Sequence, residues 1–313
     1  MEQQEELYLT FKPKMKLKVT IGIFITVFLG LVLLLYANGK SSNDYGYSQM
    51  ASLDGNPVSD EEQSAEIESE YTEEAEPNID SAISDSIFEI CKPAPLSDVS
   101  ELIIKKKAYI VSYNKDTKIP NWVAWYLTGE HSDGPVGRSN AFYEDIEAPA
   151  PRATIEDYKG SGWSRGHMCP AGDNKWDVEA MNQSFSLVNV CPQDASLNSG
   201  LWNSLEIDCR NWARRFQNIY IICGPVFYKQ DHETIGSNQV YVPEAFFKVV
   251  LCLNGTPKGM GVVVKNNAGT KKRDLYYNSI DQVERITGMN FFPLLPDDLE
   301  EEIESHLDMD LWK

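Results

Sequence analysis

The chain has 313 residues, 42% of them hydrophobic, with 28 Lys and Arg against 47 Asp and Glu and a formal net charge of −19. That length and composition exclude a wholly disordered chain and allow one large domain or two ordinary ones. The acidity, taken whole, argues against a protein that coats nucleic acid, which carries a basic footprint.

Divided along the chain, the charge tells a different story. Residues 1–40 carry net +2, residues 41–90 net −14, residues 91–296 balance 22 acids with 22 bases, and residues 297–313 carry net −7. The excess therefore lies outside the middle. Residues 1–18 form a basic N-terminus in which Lys12, Lys14, Lys16 and Lys18 precede an uncharged run from Val19 to Ala37. A run of that length spans a bilayer core as a helix. The positive-inside rule then makes residues 1–18 cytoplasmic, residues 19–38 a transmembrane anchor, and everything after them exported. The rival reading is a signal cleaved near Ala37-Asn38-Gly39, which would release a secreted protein. Residues 39–90, acidic and rich in Ser and Glu without apolar periodicity, read as a disordered linker.

Residues 91–313 read as a folded body with an acidic C-terminal segment. Tyr109–Tyr113, Trp122–Leu127, Ile219–Phe227, Ala245–Leu253 and Met260–Lys265 are apolar, aromatic and β-branched, and predict strands. The clearest helix follows Asn198, which the pattern puts at the helix start. Leu201, Leu205, Cys209, Trp212 and Phe216 fall within roughly 80° of arc at about 100° per residue. Glu206 and Arg210, four residues apart, share an adjoining flank. Ser279–Thr287 predicts a short helix opened by a Ser279-x-x-Gln282 capping box and closed by Gly288. Asp297–His306 predicts a surface helix with acids in its first turn. Strands and helices without regular βαβ alternation give an α+β class. Most of the tryptophans sit at packing positions and read as core. The six cysteines, Cys91, Cys169, Cys191, Cys209, Cys223 and Cys252, match no zinc spacing; up to three disulfides or six buried thiols are both open.

The informative stretch is Trp163-Ser164-Arg165-Gly166-His167-Met168-Cys169-Pro170-Ala171-Gly172-Asp173-Asn174. It is followed by Asn189-Val190-Cys191-Pro192-Gln193, then Leu197-Asn198-Ser199-Gly200-Leu201-Trp202, Leu205-Glu206 and Arg210. This set joins a base that titrates near neutrality, arginines suited to phosphate, an amide and a carboxylate. Phosphodiester hydrolysis needs a proton acceptor, charge neutralisation and a stabilised leaving group. In order and spacing, the set resembles the DNA/RNA non-specific endonucleases, a family of ββα-metal nucleases that includes secreted bacterial enzymes and mitochondrial endonuclease G. The similarity runs from about Trp122 to about Leu295.

The resemblance implies an α+β fold with a mainly antiparallel central sheet, flanking helices and a ββα-metal motif. It implies an Mg²⁺-dependent endonuclease, with Mn²⁺ able to substitute, that cleaves DNA and RNA with little sequence preference. His167 takes the place of the family's general base and Arg165 that of a phosphate contact. Asn198 takes the place of the direct metal ligand, Glu206 that of the residue holding the metal's waters, and Asn189 that of a residue orienting the histidine or its surroundings. Arg138 and Arg210 stand as further phosphate contacts. Ser164 departs from the family, which usually has Asp there. The competing class is an envelope protein, periplasmic or at a cell surface, that keeps the nuclease fold for binding and is catalytically weak or inactive. Whether the chain forms a homodimer is left open.

Overall fold

Near-continuous apolar runs over five strands dictate a sheet buried on both faces, and the computed structural model has one. It describes residues 87–268 and 272–313. The basic N-terminus, the anchor and the linker up to residue 86 lie outside the described residues. Among those described, no helix is long and apolar enough to cross a membrane.

The strands are β1 (Leu102–Lys105), β2 (Ile110–Asn114), β3 (Ile119–Thr128), β4 (Ser164–His167), β5 (Val190–Gln193), β6 (Asn218–Val226), β7 (Thr234–Ile235), β8 (Val240–Tyr241), β9 (Ala245–Cys252), β10 (Lys258–Lys265) and β11 (Tyr277–Asn278). Seven of them form one antiparallel sheet in the order β1-β2-β3-β6-β9-β10-β11. The β4–β5 and β7–β8 pairs stand apart from it. The α+β class and mainly antiparallel sheet expected from the sequence are therefore present. The five strands read from their apolar, aromatic and β-branched runs match to within a residue or two at most ends. The short pairs carried too few residues to show a period.

Alternation gives the sheet two unlike faces. On one, Trp122, Ala124, Ile222, Phe247, Val249, Leu251 and Val263 pack under Ile280, Val283 and Ile286 of one helix and Ile303 of the next. On the other, Val123, Trp125, Ile221, Cys223, Phe246 and Val250 pack under the helix that follows β5. The first covering layer is α2 (Ile280–Thr287) and α3 (Asp297–Ser305). The Ser279 hydroxyl accepts from Gln282 N–H at 3.3 Å, and Gly288 takes φ 72° to end α2, as the capping signals require. A Cβ at Gly261 would stand 2.3 Å from Val283 Cγ2, so the bare backbone there lets α2 sit close.

The helix on the second face runs without a break from Ala195 to Phe216. It opens on Ala195–Leu197, widens into a π turn over Asn198–Trp202, and continues as α1 (Asn203–Phe216). Asp194 caps it, accepting from Ser196 and Leu197 N–H at 2.9 Å each. The helix thus begins one turn earlier than its apolar stripe suggests, and Asn198 lies inside it, not at its start. Ser199 and Ser204 donate to the carbonyls of Ala195 and Gly200, four residues back, at 2.8 and 3.0 Å. Hydroxyls competing for those acceptors flank the wide turn and favour it.

Two boundaries also shift. Residues 87–91 are helical and Phe88 is buried, so the folded body takes in the last residues assigned to the linker. The acidic C-terminal segment ends docked: Trp312 packs on Trp212 at 4.8 Å, and its carbonyl accepts from Trp212 Nε1 at 3.1 Å. All six cysteines are buried free thiols, which resolves the sequence alternatives against disulfides.

Candidate active site

Strand alternation first sorts the Ser-Arg-Gly-His run. Arg165 and His167 share one face of β4, and Ser164 and Gly166 the other. Gly166 is required by its neighbour on β5, because a Cβ there would stand 2.6 Å from Gln193 Cβ. Ser164 faces away from His167, so the change from the family's Asp reaches the histidine only through the backbone.

His167 is 7% exposed, and its ring lies 5.1 Å from Phe142 and 4.9 Å from Phe185. The Arg165 guanidinium sits 4.3 Å over the Phe142 ring and that of Arg138 5.2 Å over the Phe185 ring. Each ring that walls the histidine thus carries a cation on its own face, within cation–π range. Burial first, and then the charges of Arg138 and Arg165, hold the His167 pKa down at about 3. The imidazole is neutral over the whole working range and able to accept a proton. Its Nε2 is enclosed and makes no hydrogen bond among the described residues.

The π turn explains why Asn198 and Glu206 belong together. Eight residues of uninterrupted α-helix would set them about 80° apart around the axis. A π turn accommodates one extra residue, leaving about seven α-steps, or about 20°. Arg210, one turn on, then falls within about 40° of both. The bulge thus places an amide, a carboxylate and a guanidinium on one narrow stripe. Trp202, the last residue of the π turn, points its Nε1 at the His167 carbonyl at 3.4 Å and ties this helix to β4.

The structure gives two of the expected site residues definite partners. Asn189 bonds the backbone around His167. Its Oδ1 accepts from Cys169 N–H, and its Nδ2 donates to the carbonyls of Cys169 and Ser184, all at 2.8 Å. With its amide used up on backbone, it is a positioning residue that clamps the loop after His167. Arg210 is held by an ion pair, its Nη1 donating to Asp173 Oδ1 at 2.9 Å. Asp173 is 2% exposed, and its other oxygen accepts from Trp125 Nε1 at 3.1 Å. Burial raises the Asp173 pKa against the pull of Arg210, its ion partner. Burial likewise pushes the Glu206 carboxyl up to about 7, opposed by Lys248 and reinforced by Asp173.

Asp173, Trp125 and Lys248 were not picked out as site residues. Asp173 closes the motif stretch and was visible there. Lys248 is a lone charge in an apolar strand, at an inward position between Phe246 and Val250; that break in the pattern was its signal. A separate acidic group, Asp281, Glu284 and Glu304, lies on α2 and α3, on the far side of the sheet.

The sequence profile of the DNA/RNA non-specific endonuclease family matches residues 88–298. The mitochondrial nuclease EXOG of Xenopus laevis is 34% identical over 207 residues, covering 61% of this chain and 58% of that protein. The chain thus spans under two thirds of the length of this relative. Nuclease C1 of Cunninghamella echinulata is 32% identical over 230 residues, covering 68% of this chain and 89% of its own. Among solved structures, a chain from the EndoG/EndoGI inhibition complex superposes with a TM-score of 0.62 at 27% identity, over 68% of this chain and 92% of that one. The β4–β5 pair with its following helix, the residues placed on it and the profile match together show that this chain belongs to the DNA/RNA non-specific endonuclease family.

Proposed function

We propose that this protein is a divalent-metal-dependent nuclease that hydrolyses phosphodiester bonds of DNA and RNA with little sequence preference. The observation that carries the reading is the π turn, which puts Asn198, Glu206 and Arg210 on one stripe of a helix tied to the strand that bears Arg165 and His167. Family membership supports the reaction class.

The donor chemistry fits a hard cation. Asn198 and Glu206 offer neutral and anionic oxygens, and both residues are partly exposed. Such a set suits Mg²⁺, with Mn²⁺ able to replace it, because these ions take oxygen ligands and keep several waters. Asn198 would hold the ion directly and Glu206 would hold its waters; bound there, the ion would supply Lewis-acid stabilisation of developing charge.

The chain's own residues supply the rest. His167, neutral at working pH, accepts the proton of the attacking water. Arg165 faces the same side as His167 and offsets charge on the phosphoryl oxygens, with Arg138 beside it. Arg210, anchored by Asp173, presents its remaining donors from the helix side. Asn189 fixes the loop that follows the base. Phosphate contacts of this kind carry no base information, which gives the low sequence preference.

The test uses the full chain with plasmid DNA and with RNA, in Mg²⁺ or in EDTA. Cleavage of both, lost in EDTA and lost in His167→Ala, is the expected result. Metal-independent cleavage, or full activity in His167→Ala, overturns the reading. A folded wild type without activity favours the weak or inactive envelope binder. We also propose that residues 19–38 anchor the chain in a membrane and that the catalytic domain is exported. Carbonate extraction and protease protection test this, and a soluble, protected domain contradicts it.

A further inference from the structure

A polar cavity that the mechanism above does not use lies at the end of the sheet where β6 and β10 finish and β9 begins. Its volume is about 180 Å³. Trp163 and Tyr228 supply aromatic lining, Val242 and Pro243 apolar lining, and Lys229 and Lys265 two cations. A cavity of about 150 Å³ takes a benzene ring, so this one has room for the ring of a nucleobase.

Both arms of the candidate active site meet this cavity. Trp163 stands two residues before Arg165, about 6.6 Å along an extended chain. Asn266, also in the lining, accepts from Asp194 N–H at 2.8 Å and donates to the carbonyls of Pro192 and Pro243 at 3.1 and 2.8 Å. Asp194 caps the helix that carries Asn198, about one turn further on. Pro192 pairs with Arg165 across β4 and β5. The cavity is thus pinned to the strand of Arg165 and to the helix of Asn198, and what it holds lies in a fixed place relative to the scissile phosphate.

The polar lining is sorted by role. Glu233 accepts from Trp163 Nε1 at 2.8 Å. Glu244 accepts from Tyr228 N–H at 3.0 Å with one oxygen, and its other oxygen lies 3.0 Å from His232 Nδ1. These acids and the Asn266 amide are spent on building the wall. Lys229 stays exposed. Packing accounts for Trp122, Trp125 and Trp202, which are at most 2% exposed. Trp163 is only half-buried, and its indole is anchored by a hydrogen bond beside a cavity. An anchored ring with a cation near it is what a base and its phosphate require.

We propose that this cavity is a subsite for an unpaired nucleobase next to the scissile phosphate, with Trp163 stacking on the base and Lys229 attracting the adjoining phosphate. An unpaired base is spared the cost of leaving a duplex, so the subsite favours single-stranded DNA or RNA over a paired substrate. This rests on the nuclease reading above and names the strand state that the site grips.

The test is binding of the full chain, in EDTA, to a fluorescent single-stranded oligonucleotide and to the same oligonucleotide in a duplex, alongside a thermal melt. Trp163→Ala is expected to lose about fivefold or more of its affinity for the single strand, and clearly less for the duplex. Trp163→Phe is expected to regain part of the loss. No loss in folded Trp163→Ala, or a loss as large on the duplex, overturns the proposal, as does a wild type that binds no single strand. If Trp163→Ala does not fold, Lys229→Glu takes its place at an exposed position. A loss weighted to the single strand then supports the subsite, and an equal loss or none sinks it. Failure of the nuclease reading looks different: the wild type would cleave neither substrate in Mg²⁺, whatever its binding preference.

Discussion

The two faces of the central sheet are built from the same alternation and do different work. The face under α2 and α3 is a mainly apolar layer, with Glu284 and Glu304 buried on the helices that cover it, and small residues such as Gly261 let those helices settle close. The face under α1 buries Trp125, Phe246 and Val250 in the same way. Yet around that layer it also buries His167, Asp173, Asn189, Gln193 and Lys248, each at 7% exposure or less. Polar groups in a low-dielectric interior are costly unless paired, and they concentrate where a site needs fixed charges. One face supplies stability, and the other gives up part of it to hold a reaction centre.

That contrast is open to attack by substitution. The largest effect is expected from His167→Ala, a loss of about 10²–10⁴ in kcat from removing the general base, with the melting temperature little lowered. A drop smaller than tenfold would take the base away from His167. On the opposite face, Phe247→Ala removes a fully buried ring packed on Phe291. It should destabilise by about 3–5 kcal/mol while the folded fraction keeps its kcat. Urea unfolding paired with single-turnover assays separates the two classes, and a catalytic defect at Phe247 would blur the division of labour.

Asp173→Asn strips the partner from a largely buried Arg210 and should cost about 3–5 kcal/mol at most, with a weaker grip on substrate seen as a raised KM. Wild-type stability and KM together would show that the pair is dispensable. Gly261→Ala should cost about 1–3 kcal/mol, because the new Cβ meets Val283 across the α2 contact. A neutral melt would mean that the helix simply steps back.

A further expected effect lies in the pH dependence of stability. The folded His167 pKa is lowered to about 3 from an ordinary 6.5, so the unfolded chain takes up a proton between those values that the folded one does not. Its contribution is full above pH 6.5 and is lost as pH falls toward 3. Chemical denaturation at pH 7 and pH 4.5 should therefore show a smaller acid loss in His167→Gln than in wild type. Equal losses would mean that the ring is not buried neutral.

The apolar periods and caps were readable from local chemistry. Tyr109–Tyr113, Ala245–Leu253 and Ser279–Thr287 needed only apolar, aromatic and β-branched runs, a Ser cap and a closing Gly, and they stand close to where those signals put them. The motif residues His167, Arg165, Asn198 and Glu206 could be named because they stand, in order and spacing, where the family that the sequence resembles carries such residues. Their arrangement was another matter. Whether Asn198 and Glu206 share a face depends on one extra residue in a helical turn, and i, i+3, i+4 spacing is blind to it. That Asn189 grips backbone and Arg210 grips Asp173 follows from contacts 20 and 37 residues apart along the chain. Periodicity reports which face of an element is apolar. The partner that a buried charge meets is set by how the elements pack, because its energy depends on a few ångströms of separation between residues remote in the chain.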